Sequence, residues 1–551
     1  MSITIGFFLA FLLTTFLIPL ASKLGFWIGI LDNPNARKIH EKPMPRTGGL
    51  GIFVGVLVSL LAIYPADNLE LGFVAGALVL LFFGVWDDYK GLDYKVKFAG
   101  QILASLIFLE ISGLRISTLG EIVPNFVFDL GLFSIPISVI FLLATINIIN
   151  LSDGLDALAS GLSLLIFICI FGLSLIQEST SVVFLSAILS AAIIGFLLYN
   201  IHPATIFLGD AGSQFLGFCI GVLLIKTTQG NTIYSPVLPL FVIGVPIIDT
   251  ASVMVYRILK GKSPFTPDKN HLHHKLLDFG LTHQQAVIIL YMMHFLLIVI
   301  GWWMKFNQDY VILYSYFVVS TALYLIFFVL MRYQDDRMSF VTSFADLIYK
   351  SYKLMMSTSV RYYITKYSWI LMLCFLGLLF VVPTYFVPVS EFNLAYISIL
   401  VFLTTYLIII KSSGLDFFLR IVTYMLLCYY TYVMITGEQT LTLLSHELEI
   451  SNVLFFGLGI FFIPCLVLTP EKKPFDALHI LSIAIVIFLF ILPAAYLPIV
   501  NMPYSFAKLL LVGWVVNLVF SRIQRNRKVV LSFVILSLAF SFGKQVLGFI
   551  S

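Results

Sequence analysis

The stretch FSIPISVIFLLATINIINLSDGLDALASG, residues 133–161, joins an apolar run to a short polar segment. The apolar part is long enough to form most of a membrane-spanning helix. Two Asn and two Asp follow it, at Asn147, Asn150, Asp153 and Asp156. Because an Asp at the centre of a membrane helix costs about 2.5–3.5 kcal/mol, polar residues at this boundary indicate a functional site near the membrane surface.

The composition of the whole chain agrees with a membrane protein. The protein has 551 residues, of which 60% are hydrophobic and 11% are charged, whereas a soluble globular domain has about 25% charged residues. Apolar runs of roughly 20 residues, the length of a spanning helix, recur along the sequence. We predict an all-α polytopic membrane protein, because lipid requires the backbone polar groups to be satisfied within each helix.

Breaks between the apolar runs divide the chain into three parts. Residues 1–335 are expected to form a first module of roughly eleven transmembrane helices, and residues 368–551 a second of about seven, without catalytic groups that we recognise. Residues 336–367 are basic and aromatic, which is typical of an amphipathic segment on the cytoplasmic face; a plain solvated linker is the alternative. Residues 112–133 contain Gly, Pro and an alternating pattern, which predicts a short external hairpin.

The distribution of Lys and Arg predicts the orientation of the chain. Short loops rich in these residues lie on the cytoplasmic side of a membrane. The loops at 23–47, 87–97 and 257–275 are rich in them, and the loops near 65–70, 227–233 and 304–309 are poor. We therefore expect an external amino terminus and three basic loops in the cytoplasm.

Acidic residues gather at the expected cytoplasmic helix ends in four distant segments. The segments are VWDDYKGL with Asp87 and Asp88, NIINLSDGLDALASG with Asp153 and Asp156, NIHPATIFLGDAGSQFLGF with Asp210, and the histidine-rich SPFTPDKNHLHHKLLDFG. Taken alone, Asp-Asp is also typical of a solvated helix end, and DGLD of a helix cap. Their occurrence together on one side of the membrane predicts a single site.

The residue types in these segments suit chemistry on a diphosphate. If the helix continues through Asp156, then Asn147, Asn150, Asp153 and Asp156 lie on one stripe, and carboxylates at that spacing can hold Mg²⁺ through oxygen ligands. Glycines in FLGDAGS let the backbone approach a phosphate. Basic side chains of the histidine-rich loop can stabilise the negative charge of a pyrophosphate.

At these residues the chain resembles the polyprenyl-phosphate N-acetylhexosamine-1-phosphate transferase family (glycosyltransferase family 4), over roughly residues 1–330. The motifs appear in order: RKIHEKPMPRTGGL (37–50), WDDYKGL (86–92), NIINLSDGLD (147–156), FLGDAGSQFLGF (207–218), PIIDT (246–250) and RILKGKSPFTPDKNHLHH (257–274). The last stretch resembles the WecA/TagO type, whose members use UDP-N-acetylhexosamines.

The resemblance implies that undecaprenyl phosphate attacks the β-phosphate of a UDP-N-acetylhexosamine, giving undecaprenyl-diphospho-sugar and UMP. This is the first membrane step of a cell-surface polysaccharide such as O-antigen. GlcNAc is the favoured sugar; GalNAc, FucNAc and QuiNAc stay open, as does the pathway. The resemblance also implies Mg²⁺, with Mn²⁺ as an alternative, and a homodimer in the lipid bilayer of the bacterial cytoplasmic (inner) membrane. No nucleic-acid partner is expected.

Residue roles follow from the same resemblance. Metal ligation is implied for Asp210, with Asp88 and Asp153. A role in catalysis is implied for Asp87, Asp88, Asp153, His271, His273 and His274, the histidines binding the diphosphate. Substrate binding is implied for Asn147, Asn150, Asp156, Arg257, Lys269, Lys38, Lys42 and Arg46.

Two further residues and one other function class complete these expectations. Asp249 is expected to be a structural partner for a basic residue. Ala157 replaces the commoner Gly of the family pattern, a change expected to matter little. The alternative function is an ion-coupled transporter, because membrane carboxylates also mark ion pathways. A transporter predicts charges near the bilayer midplane and inverted repeats, whereas these charges lie at helix ends.

Overall fold

A computed structural model describes residues 2–33, 42–64, 67–230, 232–263 and 270–332, and two short strands at 440–443 and 446–449. The elements are, in order, α1 (Ser2–Ile28), β1 (Leu31–Asp32), β2 (Met44–Pro45), α2 (Gly48–Ile63), α3 (Asn68–Lys90), α4 (Tyr94–Ser112), a 3₁₀ turn (Gly131–Phe133), α5 (Ser134–Leu151), α6 (Leu158–Ile176), α7 (Thr180–Asn200), α8 (Gly209–Thr228), α9 (Pro239–Val242), α10 (Gly244–Leu259), α11 (Leu272–Asp278), α12 (His283–Met304), α13 (Asp309–Arg332), β3 (Thr440–Leu443) and β4 (His446–Glu449).

The described helices are those of a multi-pass membrane protein. Eight of them are long and apolar enough to cross a membrane: α1, α3, α5, α6, α7, α8, α12 and α13. The helices α2, α4 and α10 have 16 to 19 residues, and α2 is apolar but shorter than a full span. The expected number of roughly eleven spanning helices therefore stays a prediction, and the seven helices expected after residue 367 lie outside the described residues.

Helices α6, α7 and α8 form the centre of the described module. In the most apolar 18-residue window of each, 100%, 83% and 94% of the residues are buried, against 17% in α13. Helix α8 packs against α2, α3, α5 and α6. The amino end of α8, where Asp210 lies, is consequently surrounded by the ends of several other helices.

Local sequence signals explain how α3 and α4 are joined. The Asp67 side chain accepts hydrogen bonds from the backbone N–H groups of Leu69 and Glu70, and Glu70 accepts one from Asp67, which makes a capping box at the start of α3. Helix α3 ends at Gly91, whose φ is +68°, and Asp93 caps α4 by accepting from Lys95 N–H. This tight connection places Asp87 beside the first turn of α4, where Lys97 lies.

The hairpin predicted at residues 112–133 is confirmed as a short antiparallel pairing. Leu119 N–H donates to the Phe128 carbonyl at 2.9 Å, and Phe128 N–H donates to Gly120 at 3.0 Å. The side chain of Gln229 holds it by accepting from Ser117 N–H at 3.0 Å and donating to the Thr118 carbonyl at 3.1 Å. Its external location stays a prediction.

The second half of the chain is described only at one hairpin. Strands β3 and β4 pair antiparallel, with Thr440 opposite Glu449. The segment TGEQTLTLLSHELE around it has no Lys or Arg, so an external location is expected for it. The amphipathic segment predicted at 336–367 lies outside the described residues.

Candidate active site

The amino end of α8 is held in place by Asp88. The carboxylate of Asp88 accepts hydrogen bonds from Asp210 N–H at 2.9 Å and from Ala211 N–H at 3.0 Å. Arg46 Nε lies 3.6 Å from the same carboxylate. A helix start has unsatisfied N–H donors and a partial positive charge, so a buried carboxylate is a favourable partner there.

Close backbone approach explains two glycines of this region. Gly209 has a φ of +75°, and a Cβ there would meet the Arg46 carbonyl oxygen at 2.2 Å. A Cβ on Gly49 would lie 2.3 Å from the backbone of Gly212. The TGG segment at the start of α2 and the GDAG segment of α8 therefore touch through backbone atoms, and the predicted approach of these glycines to a phosphate stays a prediction.

Lys97 joins two of the predicted acidic residues. Its ammonium group contacts Asp87 Oδ2 and lies 3.5 Å from Asp210 Oδ2. The other oxygen of Asp87 accepts from Leu92 N–H at 2.7 Å. Asp87 and Asp88 are 3% and 8% exposed, so the alternative of a solvated helix end is wrong. The sequence predicts Lys97 only as part of a basic cytoplasmic loop, and its place in the site was not predicted.

Asn150 faces the carboxylate of Asp210, whereas Asn147 faces a different network. Asn150 Nδ2 lies 2.8 Å from Asp210 Oδ1 and 2.8 Å from Ser213 Oγ. Asn147 donates instead to Gln101 Oε1 at 2.7 Å. The structure thus brings Asn150 to the acidic cluster, which consists of Asp87, Asp88 and Asp210. It places Asn147 among polar side chains between helices.

The predicted stripe of four polar residues is wrong, because α5 ends at Leu151. Residues 152–157 form a turn, and Ala157 has a φ of +66° before α6 begins. Asp153 lies in this turn. Desolvation by the surrounding protein, and then the charge of Asp210, raise the pKa of Asp153.

Asp156 pairs with histidines. Its Oδ2 lies 2.7 Å from His202 Nδ1 and accepts from Ala204 N–H at 3.1 Å. The rings of His202 and His283 stack at 4.1 Å, with 19° between their planes. Among the described residues, only Asp156, His202 and His283 bring three His, Cys, Asp or Glu ligand atoms within 4.8 Å of one another.

The histidine-rich segment is anchored to α10. His271 Nδ1 lies 3.0 Å from Asp249 Oδ2, which confirms the expectation of a basic partner for Asp249. His273 is 3% exposed and packs against Gly154, where a Cβ would meet His273 Nε2 at 2.3 Å. His274 lies beside His273, with ring centroids 4.3 Å apart.

Burial decides the charge of His273. Desolvation, and then the neighbouring His274, lower the pKa of His273 to about 3. Near neutral pH its ring is therefore uncharged. It is able to form hydrogen bonds, but it does not supply the positive charge that we expected the histidines to offer a diphosphate.

The predicted basic residues fall into three groups. Arg46 lies beside Asp88, as described above. Arg257 is buried, at 5% exposure, on α10, and Lys42 is exposed just before β2. Lys38 and Lys269 lie outside the described residues. Of this set, Arg46 is in contact with the acidic residues at the start of α8, through Asp88.

Comparison with known proteins adds independent evidence. A model of glycosyl transferase family 4 matches residues 71–228. A probable undecaprenyl-phosphate N-acetylglucosaminyl 1-phosphate transferase of Bacillus subtilis is 37% identical over 297 residues, 53% of this chain and 82% of the relative. An undecaprenyl-phosphate alpha-N-acetylglucosaminyl 1-phosphate transferase of Escherichia coli O157:H7 is 32% identical over 332 residues, 59% of this chain and 88% of the relative.

A third relative with that same name, from Salmonella typhi, is 34% identical over 286 residues, covering 51% of this chain and 78% of the relative. Nothing in these matches supports the transporter alternative. The family generally uses a divalent metal ion. The carboxylates of Asp87 and Asp210, which both face Lys97, are oxygen ligands of the kind that such an ion prefers. The chain is an enzyme, and it belongs to the glycosyl transferase family 4 of undecaprenyl-phosphate N-acetylglucosaminyl 1-phosphate transferases.

Proposed function

We propose that this protein transfers N-acetylglucosamine 1-phosphate from UDP-N-acetylglucosamine to undecaprenyl phosphate, giving undecaprenyl-diphospho-N-acetylglucosamine and UMP. The observation that supports this most directly is the meeting of Asp87, Lys97, Asn150 and Asp210, which come from four different helices. Acidic and cationic groups at one point are what phosphoryl transfer requires, since its catalysis consists mainly of positioning and charge stabilisation.

Mg²⁺ is the metal that we propose for this site. Asp210 is the best placed ligand, because its side chain is 19% exposed while Asp87 is almost fully buried beside it. When bound, the ion would neutralise charge on the diphosphate oxygens. Both oxygens of Asp88 already accept backbone hydrogen bonds, so we assign Asp88 to holding Asp210 in place rather than to the predicted metal ligation.

The reaction needs few proton transfers. An oxygen of the lipid phosphate forms a bond to the β-phosphorus of the donor, and the bond from that phosphorus to the bridging oxygen breaks, with UMP taking the electron pair. Because the second pKa of a phosphate monoester is about 6, the attacking oxygen is largely deprotonated already. Lys97 and Arg46 then stabilise charge on the transferred phosphoryl group.

The membrane setting fits this reaction. We place the site at the cytoplasmic face, where the nucleotide-sugar is available, in the inner membrane. The basic loops that contain Arg46 and Lys97 support this orientation. A homodimer stays a prediction.

Release of UMP tests the proposal. Purified full-length protein in detergent is given undecaprenyl phosphate, Mg²⁺ and either UDP-GlcNAc or the UDP derivatives of GalNAc, FucNAc and QuiNAc. We expect UMP only with lipid present, most from UDP-GlcNAc and none with EDTA. No UMP from any donor, with the protein shown to be folded, contradicts the proposed function; a better rate with another sugar contradicts only the choice of donor.

A further inference from the structure

Asp249 makes an unusual double contact inside the protein. It lies in α10 and is 6% exposed. Its Oδ2 lies 3.0 Å from His271 Nδ1, and its Oδ1 accepts from Leu272 N–H at 2.7 Å. Burying a carboxylate is costly unless both oxygens are hydrogen-bonded. This one residue therefore joins α10 to the beginning of α11, more than twenty residues later in the chain.

The contact with Asp249 selects one form of the His271 ring. An ionised carboxylate only accepts hydrogen bonds, so Nδ1 of His271 must bear the hydrogen that it donates. Nε2 is then the nitrogen left to interact with a ligand. In enzymes, a carboxylate behind an imidazole commonly fixes both the tautomer and the orientation of the ring.

The contact between Asp249 and His271 is linked through His273 to the turn that contains Asp153. The rings of His271 and His273 are nearly parallel, with 11° between their planes and centroids 5.7 Å apart. His273 in turn packs against Gly154, the residue after Asp153. A shift of the α11 start would thus move both the histidines and the turn that contains Asp153.

From these contacts we infer that Asp249 is a positioning residue of the active site, which holds His271 so that its Nε2 is directed to an oxygen of the donor diphosphate. The inference rests on the proposed function, since it assigns that site a substrate contact. Asp249 itself touches no reacting atom. It acts through His271 and Leu272, in contrast to Asp210, whose carboxylate is partly open to the site.

The first test replaces the carboxylate while keeping its size. Asp249→Asn leaves one acceptor oxygen for two donors, so either the His271 ring or the Leu272 N–H loses its acceptor and the joint between α10 and α11 is disturbed. We expect kcat for UMP release to fall about 10- to 100-fold, the usual effect of removing such a supporting group, with the KM for the donor changed by less than about threefold. Asp278→Asn, the same change on an exposed carboxylate of α11, serves as the control and should keep the wild-type rate.

The second test asks whether Asp249 acts through His271. In a His271→Ala background, Asp249→Asn should cause no further loss, because residues that act as a unit are not additive. A separate loss of equal size in that background overturns the inference, since it shows an effect independent of the ring.

A third variant avoids the risk that Asp249→Asn misfolds. His271→Asn keeps an N–H donor near the position of Nδ1 but lacks Nε2. We expect this variant to keep the melting temperature of the wild type and to be as slow as His271→Ala. A rate close to wild type shows that His271 only fastens α11, which overturns the inference.

Failure of the inference and failure of the proposed function give different results. If the wild type releases no UMP from any donor, the proposed function is wrong. If the wild type is active and folded Asp249→Asn keeps more than half of its kcat, only the positioning role is wrong.

Discussion

The carboxylates of the site have different partners in two regions. In the lysine–arginine region, formed by Arg46, Asp87, Asp88, Lys97 and Asp210, the acidic groups face cationic side chains and backbone N–H groups. In the histidine region, formed by Asp156, Asp249, His202, His271, His273 and His283, two acidic groups face imidazole rings.

The difference separates two tasks. Lysine and arginine keep their charge near neutral pH, whereas histidine gains or loses its charge there. We therefore assign charge neutralisation of the diphosphate to the lysine–arginine region. The histidine region supplies orientation, through hydrogen bonds and ring packing, and its structure should depend more strongly on pH. Four predictions test this division.

The largest effect is expected at the centre of the lysine–arginine region. Asp210→Asn keeps the size and shape of the side chain. It removes the negative charge beside Lys97 and with it the main proposed metal ligand. We expect UMP release to fall at least about a thousandfold, the size typical of losing a principal electrostatic group. Asp129→Asn, on the exposed hairpin, should be unaffected. A folded Asp210→Asn protein with a near wild-type rate would show that the metal assignment is wrong.

Lys97 should matter less than Asp210, but clearly. Lys97→Met removes the cation that contacts Asp87 and Asp210 and leaves two neighbouring carboxylates uncompensated. We expect a loss of about a hundredfold in kcat, or roughly 2.7 kcal/mol of barrier height, and partial recovery in Lys97→Arg. Lys95→Met removes an exposed lysine two residues away and should cause little change; equal losses in the two variants would argue against a specific role.

Lys97 also shows what sequence patterns do not predict. Apolar runs identified the helices, and the polar residues at their ends were correctly expected to meet. A lysine that enters the site, however, has the same sequence context as a lysine that marks a cytoplasmic loop. Only the packing of α4 against α3, behind the three-residue connection at Gly91–Asp93, directs Lys97 inward.

The turn after α5 was missed for a different reason. A spacing of three residues suits a helical stripe, but contacts from distant segments determine this backbone. Asn200 accepts a hydrogen bond from Ala157 N–H, Tyr291 OH donates to the Ala157 carbonyl, and His273 fills the space beside Gly154. None of these partners lies near the turn in sequence, so local periodicity contains no sign of them.

The histidine region should be the acid-sensitive one. The pKa of His273 is about 3 in the folded protein, below the value of about 6.5 for an unfolded chain. Between these values the unfolded state binds more protons, so folding stability is complete above about pH 6.5 and falls as the pH is lowered. At pH 5 this residue alone should cost about 2 kcal/mol.

Thermal unfolding at pH 7 and pH 5 checks this expectation. His273→Gln removes the titrating ring, so its melting temperature should fall less between the two pH values than that of the wild type. An identical fall in both proteins would mean that other groups cause the acid sensitivity.

The smallest expected effect concerns Ala157, whose substitution for Gly we expected to matter little. The structure places it at a φ of +66°, where a Cβ is strained by roughly 1–2 kcal/mol. Ala157→Gly removes that strain but adds freedom to the unfolded chain, worth about 0.4–1 kcal/mol. We expect a net gain near 1 kcal/mol, visible as a slightly higher melting temperature.

Activity should separate this change from those in the lysine–arginine region. Since Ala157→Gly leaves the backbone hydrogen bonds to Asn200 and Tyr291 available, the rate of UMP release should stay within about twofold of wild type. A lower melting temperature would show that Ala157 stabilises the turn through its methyl contacts, which would make the packing of the histidine region, rather than backbone strain, the determinant of stability at this position.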